Sequence, residues 1–91
     1  MKRRANIKII GKVQGVGFRK NSAFLAKNLG LCGYVKNLDN GQVEMLAEGE
    51  EKDIEKLVAW ANAGPAEAQV DQLFVDWQEF KNEFNDFLSI K

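Results

Sequence analysis

Apolar and polar residues alternate over residues 5–10, with Ala5, Ile7 and Ile9 on one side and Asn6 and Lys8 on the other. A period of two predicts a half-buried strand. The period then changes. Phe18, Leu25 and Leu29 gather near one helical face with Phe24 close by, and Gly30 follows where a helix end favours a left-handed residue. This spacing predicts a helix over 19–29. Tyr34 and Val35 predict a strand over 32–38, and Asp39-Asn40-Gly41 is a hairpin turn signal. Alternation resumes over 42–48, where Val43, Met45 and Ala47 oppose Gln42, Glu44 and Glu48.

Ile54, Leu57, Val58 and Ala61 recur at helical spacing, which predicts a second helix over 50–63. Glu50, Glu51 and Asp53 suit the positive end of its dipole, and Gly64-Pro65 ends it. Residues 69–77 predict another strand. Val70 has the opposite parity to Leu73, Val75 and Trp77, so a bulge or bend is expected near Asp71-Gln72. A last strand is expected over 84–90, although its apolar residues do not alternate simply. The order βαββαβ predicts an α+β, ferredoxin-like fold: an antiparallel sheet of four or five strands with both helices packed on one face. Residues 1–91 are expected to form one domain. The two helix-linked strands, 5–10 and 32–38, are expected side by side, which would bring Asn37 beside the loop before Arg19.

Composition narrows the class. The chain is 45% hydrophobic and has a single cysteine, Cys32, so no internal disulfide framework is available. A buried structural thiol and a reducing, cytoplasmic setting are expected. No segment reads as a signal peptide or a membrane span. Formal net charge is zero, but it is unevenly spread. Residues 1–45 carry nine Lys/Arg against two acids, and residues 46–91 carry four against eleven. That asymmetry either steers an anion to the first half or reflects acids coating one solvated helix face.

The chain has no histidine, so the commonest acid–base side chain near neutral pH is missing. No Cys/His cluster has metal-ligand spacing, and neither metal nor cofactor is expected. The chemistry that remains needs positioning and charge stabilisation rather than proton transfer by the protein. Phosphoryl transfer with a good leaving group is of this kind. Gly15 and Gly17 bracket a turn between the first strand and first helix, so the backbone amides of Gln14, Gly15, Val16, Gly17, Phe18 and Arg19 can form an anion cradle. An ordinary strand-to-helix turn is the plain alternative. Arg19 is poorly placed at a positive helix end unless an anion sits beside it. Asn37 closes the second strand, where asparagine is a poor strand former. Its amide can hold a water in one orientation, or it can simply belong to the 37–41 turn.

The runs VQGVGFR at 13–19, GLCGYVKNLDNGQVE at 30–44 and GPAEAQV at 64–70 together resemble the acylphosphatase family over nearly the whole chain. The resemblance implies a small, metal-independent enzyme that hydrolyses the carboxyl-phosphate bond of acyl phosphates. It implies that the amides around residues 15–19 and the Arg19 guanidinium hold the phosphoryl group. It further implies that Asn37 orients the attacking water, with the phosphate itself taking the water's proton. Lys20 departs from the family pattern, in which an aromatic residue is common. The ending Phe87-Leu88-Ser89-Ile90-Lys91 is about one residue out of step with the family's usual ending.

The expected partner is a small acyl phosphate, with inorganic phosphate or sulfate as a site ligand, no nucleic acid, no membrane, and a monomeric state. The competing expectation is a non-catalytic phosphate- or RNA-binding module. RNA-binding sheets of this fold stack bases on aromatics of the open face. The expected open-face positions here, Asn6, Lys8, Ile10, Gln42, Glu44 and Leu46, hold none.

Overall fold

A computed structural model describes residues 1–91. The elements are β1 (Lys2–Lys12), α1 (Phe18–Asn28), β2 (Cys32–Asn37), β3 (Val43–Glu50), α2 (Glu51–Ala63), β4 (Gln69–Glu79) and β5 (Phe87–Ile90). The strands lie in the order β4-β1-β3-β2-β5. This is the ferredoxin-like α+β arrangement that the element order predicts, with one correction. The first four strands pair antiparallel, but β5 runs parallel to β2, so the sheet is mixed. The cause is topological. The chain leaves β4 at one end of the sheet, crosses that end to the far edge and runs back, which is the direction of β2.

A second correction concerns neighbours. β1 and β2 are not side by side, because β3 lies between them. The last strand is also shorter than expected, since residues 80–86 form the crossover. Phe87 is buried while Leu88, Ser89 and Ile90 are exposed, so this edge strand does not alternate simply even with the crossover left out.

The parity change in β4 is a bulge. Ile10 pairs with Gln72 and Gly11 with Val70, which leaves Asp71 as the extra residue. Gly11 serves this close approach. Its φ is +139°, and a Cβ there would lie 2.1 Å from the carbonyl oxygen of Gln69.

One apolar cluster joins the helices to the sheet. Ala5, Ile7 and Ile9 of β1 and Val43, Met45 and Ala47 of β3 meet Ile54, Leu57 and Ala61 of α2. The α2 face is the one its spacing predicts. The α1 face differs: Phe18, Ser22, Ala23 and Ala26 are buried, Leu25 and Leu29 are half-buried, and Phe24 is 70% exposed. Residues 18, 22 and 26 form one stripe, and Phe24 sits about 200° around the helix from Ser22. Small residues at 22, 23 and 26 let the helix approach the sheet closely. No helix is long and apolar enough to cross a membrane.

The opposite face of the sheet is held by charge. Glu48 is only 2% exposed and accepts the backbone N–H groups of Lys81 at 2.7 Å and Glu83 at 3.0 Å. Arg4 lies 3.5 Å from Glu48, also binds Glu83, and covers the ring of Phe84. The crossover is thereby pinned to β1 and β3. Burial pushes the Glu48 carboxyl up, but the two N–H donors and Arg4 outweigh it and hold its pKa below the ordinary glutamate value. Glu44 binds Tyr34 and Asn6 and faces Lys8 and Lys36. Leu46 is buried on this face rather than exposed, while the aromatics Tyr34 and Phe74 share the face from β2 and β4. Cys32 is half-buried, not fully buried as expected.

Candidate active site

The C-terminal ends of β1, β2 and β5 and the start of α1 meet at one end of the sheet. The Gln14 side chain makes this meeting possible across the intervening β3. Its Nε2 donates to the carbonyls of Leu38 and Gln42, both at 2.8 Å. The loop after β1 is thus tied to the β2–β3 hairpin, and Asn37 comes within the same hollow.

Two glycines turn this loop. Gly15 has φ +73° and Gly17 has φ +81°, left-handed conformations that strain a residue with a Cβ. Gly17 immediately precedes α1, and its carbonyl accepts both the backbone N–H (3.1 Å) and the side-chain amide (2.8 Å) of Asn21. Phe18 anchors the start of the helix. Its ring is buried against Trp60 at a centroid distance of 5.2 Å, and a Cβ at Gly64 would lie 2.9 Å from it.

The start of α1 is left unsatisfied. No side chain caps it, and its first turn has no acid. None of the backbone N–H groups of residues 15–20 has an acceptor within the protein. Free N–H groups at a positive helix end form an anion-binding arrangement. Arg19 is beside them, with one Nη donating to the Ile90 carbonyl at 2.9 Å. It has no carboxylate partner, unlike Arg3 and Arg4. The Asn37 side-chain amide has no hydrogen-bond partner in the protein.

These groups border a cavity of about 250 Å³. Its loop and helix wall is formed by Val13, Gly15, Gly17, Phe18, Arg19 and Lys20. Asn37, Ser89 and Lys91 form the wall from β2 and the end of the chain. Of the residues expected at the site, Gly15, Gly17, Phe18, Arg19 and Asn37 are brought together. Gln14 and Val16 are not on the wall. Gln14 instead braces the hairpin, and Val16 packs against the core.

Sequence reasoning missed Ser89, Lys91 and the Ile90 carbonyl. They arrive because Ser89 pairs with Val35 and Ile90 with Lys36. The run Phe87-Leu88-Ser89-Ile90 has no clean period that would have announced this pairing. No group of three or more Cys, Asp or Glu residues gathers as a metal site anywhere in the chain.

The sequence pattern of the acylphosphatase family matches residues 5–89. The acylphosphatase of Geobacter sulfurreducens is 45% identical over 87 residues, covering 96% of each chain. The crystal structure of the Bacillus subtilis acylphosphatase superposes with a TM-score of 0.93 at 33% identity, over 100% of both chains. The structure of an acylphosphatase from Coxiella burnetii superposes with a TM-score of 0.91 at 35% identity, over 98% of this chain and 93% of the other.

Proposed function

The chain belongs to the acylphosphatase family, and on that premise we propose how this acyl phosphate hydrolase performs its reaction. The phosphoryl oxygens accept the free N–H groups at residues 15–19 and the Arg19 guanidinium. Arg19 is aimed by the Ile90 carbonyl, leaving its other N–H groups for substrate. The Asn37 amide holds a water in line with the bond to be broken. The water oxygen forms a bond to phosphorus as the bond from phosphorus to the acyl oxygen breaks. The carboxylate leaves with the bonding electrons, and the water's proton passes to a phosphoryl oxygen. The products are a carboxylate and inorganic phosphate.

No protein group is asked to titrate in this scheme, which suits a chain without histidine. Neutralisation comes from N–H dipoles and Arg19, in a site where such groups act more strongly than in water. Inorganic phosphate, the product, occupies the same cradle, and sulfate can replace it. A cavity of about 250 Å³ suits a phosphoryl group with a small acyl chain. We take residues 1–91 to fold as one domain, a reading supported by the single apolar cluster that joins helices and sheet, and to act as a monomer in the cytoplasm.

One observation carries the proposal. Unsatisfied N–H groups, an arginine without a carboxylate and an unengaged asparagine amide face one hollow. Hydrolysis of benzoyl phosphate in the presence of EDTA tests it. The parent chain should turn over. Arg19→Gln and Asn37→Ala should each lose roughly 100- to 1,000-fold in kcat while remaining folded. A folded parent chain without turnover, or variants as active as the parent, would overturn it.

A further inference from the structure

The phosphoryl cradle leaves two cations of the same cavity without a task. Lys20 follows Arg19 in the first turn of α1, and Lys91 lies just beyond β5. Neither is in an ion pair. Lys2, Lys12, Lys27, Lys52 and Lys81 are unpaired too, but Lys20 and Lys91 are the lysines that line this cavity. No Asp or Glu lines the cavity. A lysine in the first turn of a helix is opposed by the helix dipole. Here it also adds to Arg19, so the mouth of the hollow gathers basic side chains with no acidic side chain among them.

The phosphoryl group of a bound substrate takes up Arg19 and the loop N–H groups. What then remains to meet Lys20 and Lys91 is the acyl half. Neutral acyl chains would leave both ammonium groups to water. A carboxylate or phosphate on the acyl chain would pair with them. Resting on the hydrolase reading above, we infer that Lys20 and Lys91 form a second anion subsite. It selects acyl phosphates whose acyl part carries its own negative charge. Lys20 contributes the larger share, because it projects from an ordered helical turn while Lys91 follows the last strand. Both side chains are exposed, so their replacement leaves the core untouched.

Succinyl phosphate and its monomethyl ester form the test pair. They differ in one charge at nearly the same size, and both carry the same phosphoryl group. For the parent chain, kcat/KM should favour the free acid roughly tenfold, the size expected of two partly screened charge contacts. The preference should shrink as salt is raised. It should fall close to one in the Lys20→Gln, Lys91→Gln double variant, with Lys20→Gln alone giving most of the change. General attraction of anions would also favour the more charged acid, so Lys27→Gln and Lys52→Gln, at lysines off the cavity wall, are the controls: they should leave the ratio intact, and a fall as large as that of Lys20→Gln would overturn the subsite. A ratio near one in the parent chain, or a ratio that survives in the double variant, would overturn the subsite. No turnover of either compound would overturn the hydrolase reading, and the subsite with it.

Discussion

The two ends of the sheet use charge in opposite ways. At the end where β4 crosses to β5, charges are matched. Glu48 is buried with two N–H donors and Arg4, Arg3 meets Glu51, and Glu50 meets the N-terminal ammonium. At the other end, Arg19, Lys20 and Lys91 border one hollow without an Asp or Glu partner, and the N–H groups of residues 15–20 have no acceptor. A protein that only had to fold would gain by matching the second end as it matched the first. The mismatch is what a ligand would complete. Stability and binding are therefore assigned to separate ends, and substitutions should separate them.

The largest effect is expected at Glu48. Glu48→Ala leaves Arg4 without its buried partner and orphans the N–H groups of Lys81 and Glu83. Chemical denaturation should show a loss of about 3–5 kcal/mol. The same carboxylate sets the acid limb of stability. Its pKa in the folded chain lies below its unfolded value, so its contribution is present above the unfolded value and is lost as pH falls through the folded one. Stability of the parent chain should decline below the ordinary glutamate range, and Glu48→Gln should flatten that decline. An unchanged slope would mean that other carboxylates dominate it.

Gly15→Ala tests the opposite end. A Cβ at Gly15 meets nothing within 4 Å, but φ is +73°, so the cost is backbone strain of about 1–2 kcal/mol. Turnover should fall by more than this loss of folded protein explains, because relief of strain moves the cradle. The smallest effect is expected at Lys20. Lys20→Glu puts an acid in the first turn of α1 and should stabilise the chain by about 0.3–1 kcal/mol in thermal melts. It should also reduce turnover of acyl phosphates. A stabilising substitution that costs activity would place the unmatched charge in service of the ligand. A destabilised variant would break the comparison.

Much of this division was legible in the sequence, but not evenly. Period revealed α2 through Ile54, Leu57 and Ala61. The switch of parity between Val70 and Leu73 located the bulge at Asp71. The glycines of the loop, Arg19 and Asn37 stood out because each is locally awkward without a ligand. The buried face of α1 was hidden, since Ser22, Ala23 and Ala26 give a weak hydrophobic signal while the larger Phe24 points outward. Glu48 looked like any polar residue of an alternating strand. Its partners are backbone groups 33 and 35 residues away, and such partners have no sequence signature. The Ile90 carbonyl that aims Arg19 was hidden for the same reason. Lys91 and Ser89 became visible only once β5 was paired with β2.

The most direct measurement is an amide NMR titration of the parent chain with inorganic phosphate. The account predicts saturable shifts concentrated in the backbone N–H groups of residues 15–20 and the Asn37 side-chain amide, with Lys81 and Glu83 unmoved. Arg19→Gln should weaken the same shifts. Shifts that never saturate, or that spread evenly over the basic surface, would contradict the claim that one end of the sheet is left unmatched to receive a phosphoryl group.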